Sequence, residues 1–245
     1  MTEDARLCWS KEGDGVDFIN GGLDSLGGDT IRRLAESVAR PGMIGFEIGC
    51  YTGWTASKVI PVFAANGGCY HCLDWFRGSV NTQVGLWNWG KAGKEGQFDS
   101  QRVLLQTLKN FEVQGWGEIV SVIVAQGSQV APVIADGILD YVYIGADHRY
   151  SNLKRDIEDW WPKLRSGGIL CGHAFTGDVE PGSEAWEKLC AEPEQDFYKS
   201  SGLHFGVTRA VRELLPGFNR EGQMWWAVKE LDHDRSSQRP IDNQD

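Results

Sequence analysis

Glu47, Gly49 and Gly53 stand at the spacing E-x-G-x-x-x-G, within the run Phe46-Glu47-Ile48-Gly49-Cys50-Tyr51-Thr52-Gly53-Trp54-Thr55. An apolar stretch, Met43 to Ile48, carries the acid. The glycines bracket a tight turn, and Thr55 to Ala64 has helical character. Strand, turn and helix in that order bring the free N–H groups of a helix N-terminus to the turn. Glycine lets the chain take positive φ there and lets another group come close. The spacing differs from the G-x-G-x-x-G fingerprint of dinucleotide sites. Asp74 lies 21 residues past Gly53 and closes a second apolar run, Gly67 to Leu73. An acid at the end of the second strand of a βαβ unit can accept hydrogen bonds from both hydroxyls of a ribose. The loop and the acid together point to a ligand that contains a nucleoside.

Positioning these residues requires alternating strands and helices, and the pattern supplies them. Thr30 to Ala39 places Ile31, Leu34 and Ala35 on one helical face, and Pro41-Gly42 ends it. The helix Thr55 to Ala64 is followed by a strand at Cys69 to Leu73, a helix at Ser100 to Phe111 and a strand at Glu118 to Val124. Then come a short helix at Gln129 to Ala135, a strand at Ile138 to Ile144, a helix at Asn152 to Trp161 and a strand at Gly168 to Cys171. A helix at Phe205 to Leu215 and a strand at Met224 to Lys229 close the series, and no sixth strand can be placed. The βαβα rhythm predicts a parallel sheet with helices on both faces. Strand C-termini form the crevice of such a sheet, so the ends near 47–53, 74, 126–128, 145–148 and 172–175 should converge. The expected organisation is one domain over 1–230, with an N-terminal cap and helix at 1–40 and a lid loop at 75–99. The polar, aperiodic 231–245 should form a disordered tail.

With 245 residues the chain is long enough for one α/β domain with a sizeable core. A net charge of −10 gives no basic face for nucleic acid and no attraction to an anionic membrane. No apolar run approaches the ~18–20 residues of a transmembrane helix, and Met1-Thr2-Glu3-Asp4 has no signal-peptide character. The six scattered cysteines read as reduced thiols, and the expected location is cytoplasmic. Cys69 and Cys72 resemble half a zinc site, but no second pair exists and a strand would point the two sulfurs to opposite faces. Most of the 11 tryptophans should pack in the core or lid. A Trp-rich cap is also a surface on which a second copy could sit, so a homo-oligomer stays open.

The E-x-G-x-x-x-G loop resembles that of class I S-adenosylmethionine-dependent methyltransferases. Further matches sharpen this. They are Asp74-Trp75-Phe76-Arg77-Gly78, Ile138 to Tyr150, Asp156, Trp160-Trp161-Pro162, Gly167-Gly168-Ile169-Leu170 and Gly172-His173-Ala174-Phe175. Gly206-Val207-x-Arg209-Ala210-Val211 and Trp225-Trp226-x-Val228-Lys229 complete them. Over roughly 30 to 229 the chain is similar to the small-molecule O-methyltransferase family that includes the macrocin-type sugar enzymes. The resemblance implies a Rossmann-like, doubly wound, mostly parallel seven-stranded sheet. It implies S-adenosyl-L-methionine as cofactor, with Glu47, Gly49, Tyr51, Thr52 and Gly53 around its amino-acid part and Asp74 on its ribose. Gln126, Gly127 and Ser128, with Trp75, would lie at its adenine. The partner would be a small hydroxylated acceptor, a sugar or a natural product.

The chain departs from the family where relatives carry metal-binding acids, with Gly145 and Ala174 in their place. Glycine and alanine offer no side-chain oxygen to Mg²⁺, so no metal ligand is assigned and a divalent ion is not expected. Asp147, Thr176 and Asp178 remain as oxygen donors nearby. A hydroxyl acceptor then needs a base, for which histidine suits neutral pH. His148 stands three residues past Gly145, the spacing at which catechol-type relatives carry a lysine base, and His173 is the second candidate. Asp147 would orient one of them or act as base itself. His71 reads as a strand residue, and neither His204 nor His233 has a role. Two readings stay open: an active methyltransferase, or a cofactor-binding protein of the same fold that has lost transfer. NAD-dependent oxidoreduction is disfavoured by the glycine spacing.

Overall fold

The computed structural model describes residues 25–77 and 100–230. The cap residues 1–24, most of the lid 75–99 and the tail 231–245 lie outside them, as do Cys8, Trp87, Trp89 and His233. Seven strands form one sheet in the order β3-β2-β1-β4-β5-β7-β6. They are β1 (Ile44–Ile48), β2 (Cys69–Asp74), β3 (Val120–Val124), β4 (Leu139–Ile144), β5 (Leu164–Gly172), β6 (Asn219–Glu221) and β7 (Met224–Val228). The first five are parallel, and β7 runs antiparallel between β5 and β6. The helices are α1 (Ser25–Ser37), α2 (Trp54–Ala65), α3 (Ser100–Val113), α4 (Gly127–Val130), α5 (Tyr150–Trp160), α6 (Glu184–Ala191) and α7 (Phe205–Leu214). This is the doubly wound α/β architecture that the alternating pattern predicts. No described helix is long and apolar enough to cross a membrane.

Strand alternation divides the core. Tyr141 and Tyr143 of β4 pack with α1, α2 and α3 on one face, while Val142 and Ile144 pack with α5 and α7 on the other. At the N-terminal edge Asp140 is fully buried and accepts from Arg40 Nε at 2.5 Å, Arg165 Nε and the Ile44 N–H. A buried carboxylate is tolerable only with such partners.

Several boundaries differ from the sequence reading. The first helix begins at Ser25 rather than Thr30, and the helix expected at Gln129 to Ala135 is one turn of α4 followed by a 3₁₀ turn, Ala131–Val133. β5 starts at Leu164, not Gly168, because a register shift opposite Leu139 and Tyr141 absorbs Gly167 at φ 75°. The unplaced sixth strand is the three-residue β6. Helix α6 has no counterpart in the predicted series; Ser183 caps it by accepting from the Trp186 N–H.

One buried acid on α5 yields a stability prediction. Asp156 is 6% exposed, and burial pushes its carboxyl up to about 7, with Arg155 opposing and Asp159 and Asp147 adding to the rise. An unfolded Asp titrates near ~3.9. Between these values the folded state binds more protons, so stability falls as pH rises from ~4 to ~7 and stays lower above that. Asp156→Asn is expected to stabilise the protein by about 2–4 kcal/mol at pH 8 and to change little at pH 4. Denaturant melts at the two pH values check this; an equal effect at both would reject it.

Candidate active site

The C-terminal ends of β1 and β4 lie side by side, and chain connections leave them in opposite directions. That is the switch point at which open α/β sheets bind ligands. The turn after β1 holds Gly49 at φ 86°, Tyr51 at φ 48° and Gly53 at φ 84°. Both glycines are also required by packing. A Cβ on Gly49 would stand 2.7 Å from Ala146 Cα, and one on Gly53 would stand 2.5 Å from the Phe111 ring. The turn is therefore seated directly on the turn after β4. Helix α3 braces it from the other side. Thr107 Oγ1 donates to the Tyr51 carbonyl at 2.5 Å, and Asn110 Nδ2 donates to the Thr52 carbonyl at 2.9 Å. Gln106, Thr107 and Asn110 form a buried polar stripe on α3, a signal for the brace that the sequence reading did not use.

Asp74 ties the turn to β2. Its Oδ2 accepts from the Tyr51 N–H at 2.9 Å and its Oδ1 from the Phe76 N–H at 2.8 Å. Burial raises its carboxyl, against the two backbone hydrogen bonds. Glu47 sits beneath the turn, 1% exposed, and accepts from the Tyr70 hydroxyl at 3.3 Å. Burial raises it well above the carboxylate range despite that bond. Thr52 is fully buried, and Tyr51 and Trp75 are partly buried. Gln126 caps α4 with Gln129, and Gly127 and Ser128 open that helix. Gly127 faces the helix α5: a Cβ there would meet Trp160 Nε1 at 3.3 Å and Asp156 Oδ1 at 3.4 Å.

Beyond β4 and β5 three histidines gather. The His148 ring meets those of His173 and His204 edge to face, at 4.9 Å and 4.8 Å. His148 Nδ1 lies 2.9 Å from Asp196 Oδ1, and its buried Nε2 has no hydrogen-bond partner. His204 Nδ1 lies 3.2 Å from the same oxygen and 2.9 Å from the Asp196 carbonyl. Burial works to raise Asp196, but hydrogen bonds from the two imidazoles outweigh it and hold the carboxyl well below its usual range. An ionised carboxylate only accepts, so both Nδ1 atoms carry protons, and in the neutral form of His148 the lone pair falls on Nε2. His173 shares a 2.9 Å hydrogen bond between its Nδ1 and the Tyr143 hydroxyl. Burial, with His148 and His204 nearby, holds it well below the usual imidazole range, so it resists taking a proton.

Two expectations are corrected here. His204, given no role from sequence, joins the cluster. Helix α7 starts against the turn after β4, where a Cβ on Gly206 would stand 2.4 Å from the His148 carbonyl oxygen. Asp147 orients neither histidine. Its carboxylate accepts from Arg149 Nε at 3.0 Å on both oxygens and from Nη2 at 2.5 Å. Asp196, which nothing in the sequence pattern singles out, holds His148 instead.

The residues present do not fit the divalent ion that the resemblance would bring to the strand ends. Asp147 is committed to Arg149, and Thr176 Oγ1 accepts from the His204 N–H. Asp178 pairs with Arg220 at 2.7 Å. A side chain at 145 would also begin 2.8 Å from the Tyr143 ring. That tyrosine is the one whose hydroxyl bonds His173.

Comparison with known proteins agrees with this architecture. A protein of Corynebacterium glutamicum superposes with a TM-score of 0.59 at 16% identity, covering 86% of this chain and 83% of that one. The O-methyltransferase TomG of Streptomyces achromogenes, involved in tomaymycin synthesis and solved with SAM, gives 0.54 at 12% identity over 84% and 81%. An O-methyltransferase of Bacillus cereus solved with SAH gives 0.52 at 14% over 84% and 82%. At these identities the likeness is one of fold. No curated protein sequence matches the chain. The profile of the methyltransferase domain matches residues 46–175, more than half of the chain and the whole span from the glycine turn through β5. The chain belongs to the methyltransferase domain family.

Proposed function

We propose that the protein is an S-adenosylmethionine-dependent O-methyltransferase of the macrocin-type small-molecule group. It would methylate a hydroxyl of a sugar or natural product with an imidazole base in place of the strand-end metal. The observation that carries this is His148: Nδ1 anchored on Asp196, Nε2 unpartnered, two residues past Ala146, on which the glycine loop is seated. When bound, the cofactor would supply an electrophilic methyl group on a sulfonium, with a neutral thioether as the leaving group. The turn Gly49 to Gly53, with Tyr51, Thr52 and the underlying Glu47, would hold the amino-acid part. Asp74 would accept from the ribose hydroxyls, and Trp75, Gln126, Gly127 and Ser128 would surround the adenine. His148, as a neutral imidazole, would take the acceptor's proton at Nε2. Asp196 stabilises the imidazolium that results, and His173 packs against its ring.

The lost strand-end acids favour a second reading, cofactor binding without transfer. The anchored His148 weighs against it, because an imidazole held by a carboxylate is a positioned base that a hydroxyl acceptor can use without a metal. The partners on this reading are the cofactor and a small acceptor, with dimerisation as a further proposal. Calorimetric titration with S-adenosylmethionine in chelator tests the core of it. One saturable site near the micromolar range is expected, with no response to NAD. Transfer to hydroxylated natural products should then proceed in chelator. No saturable binding would reject the cofactor assignment; binding without transfer to any acceptor tried would favour the second reading.

A further inference from the structure

The Asp196 cluster has a second chemical capacity. Its two imidazole nitrogens and one carboxylate oxygen converge from three separate parts of the chain: the turn after β4, the segment between α6 and α7, and the residue that opens α7. The ligand atoms of His148, Asp196 and His204 all lie within 4.8 Å of one another, the one such group among the described residues. Zinc holds imidazole nitrogen and carboxylate oxygen at about 2.0–2.2 Å. Two such ligands at roughly tetrahedral to right angles are then about 2.9–3.4 Å apart. The two edges that meet at Asp196 Oδ1 measure 2.9 and 3.2 Å. The third edge, between the imidazole ligand atoms, is no longer than 4.8 Å, and an ion would draw them together. Three protein ligands with a position left open is the pattern of a zinc site that can still bind a small molecule.

We propose that His148, Asp196 and His204 form a binding site for a divalent transition metal of the zinc type, and that occupancy switches His148 from proton acceptor to donor. Metal on Nδ1 displaces the proton that faces Asp196. In the neutral imidazole that proton moves to Nε2, so the lone pair assigned to the acceptor is lost while no net charge leaves the ring. The same reversal applies to His204, whose hydrogen bond to the Asp196 carbonyl is given up. Nitrogen-rich ligation selects zinc, cobalt, nickel and copper over magnesium, so this is a different site in place and in preference from the strand-end site that the residues do not fit. The switching half rests on the base assigned to His148 above; the binding half does not.

The test uses tag-free full-length protein, stripped with chelator and titrated with Co²⁺ under reducing conditions, read by visible absorption, with Zn²⁺ as competitor. One equivalent is expected to bind at micromolar affinity or tighter, with the d–d bands of nitrogen and oxygen ligation and without the near-ultraviolet band of thiolate ligation. Zn²⁺ should displace it and Mg²⁺ should not. His204→Ala should weaken binding by more than the roughly 10–100-fold that losing an outer-shell partner costs. His204→Gln, closer in size, guards against a variant that fails to fold. No saturable binding, a thiolate spectrum, or unchanged affinity in a folded His204 variant would overturn the site. If transfer is established, one equivalent of Zn²⁺ should abolish it and chelator restore it. Undiminished transfer with zinc bound overturns the switch. Absence of transfer in the stripped protein counts against the proposed reaction, while the cobalt spectrum still judges the site.

Discussion

His148→Ala is expected to lower the rate of methyl transfer by about 10²–10⁴-fold, the range that general acid–base catalysis contributes, while cofactor affinity stays unchanged. The separation follows from the layout. His148 stands beyond the end of β4 with its ring enclosed by His173 and His204, and the groups placed around the cofactor stand beyond β1, β2 and β3. Removing the imidazole leaves a gap with Asp196 at one wall, so added imidazole should restore part of the rate. A purely structural histidine would give no such rescue. Asp196→Asn should act in the same direction and more weakly. An amide can still accept from His148 Nδ1, but it no longer offers a charge to the imidazolium that forms. Single-turnover rates and calorimetry on the same samples check both variants. An unchanged rate for His148→Ala would remove the base assignment and leave His148 as a residue that packs the start of α7.

The elements that position this site could be read from sequence because each carries a local signal. The glycine turn lies between an apolar strand and a helix, and Asp74 ends the next strand. What local signals cannot give is the meeting of residues far apart in the chain. Asp196 is 48 residues from His148, in a segment with no helical or strand period, and His204 precedes its helix as an ordinary polar residue. The two come together because only glycine fits at 206 against the turn after β4. That is a tertiary contact, invisible to periodicity. Gly145 shows the same limit. Read as a lost acid, it suggests an emptied site. In the structure a side chain at 145 would begin 2.8 Å from the ring of Tyr143, whose hydroxyl bonds His173. Helix α6 is different, because its signal was present: Ser183 followed by Glu184 and Glu187, with Lys188 in the last turn. The brace of α3 was also available, as three polar residues on a face that otherwise packs Val103 and Phe111.

Asp74→Ala should weaken S-adenosylmethionine binding by about 10²–10³-fold. Each Asp74 oxygen already accepts one backbone N–H, from Tyr51 at 2.9 Å and from Phe76 at 2.8 Å. A carboxylate has about four acceptor positions, so one on each oxygen remains for a ribose diol. Two hydrogen bonds to a charged acceptor are worth roughly 1.5–3 kcal/mol each, and tenfold in affinity is about 1.4 kcal/mol. The upper part of that range is not reached, because burial already raises this carboxyl. A second loss adds to the first. Without Asp74 the Tyr51 N–H has no carboxylate partner, and Tyr51, held at φ 48°, is released within the turn that would receive the amino-acid part of the cofactor. Asp74→Asn separates the two contributions. It keeps one carbonyl for one N–H but turns an amide donor toward the other, so the loop is strained while one ribose contact survives. Its affinity should fall between those of the wild type and Asp74→Ala. A truncated ligand carries the distinction further. 5′-Methylthioadenosine keeps the ribose and lacks the amino-acid part. If Asp74 acts on the ribose, the alanine variant loses affinity for both ligands, and more for the full cofactor, which also feels the released turn. If Asp74 only ties the loop to β2, the loss is confined to the full cofactor, and the ribose assignment falls while the loop assignment stands.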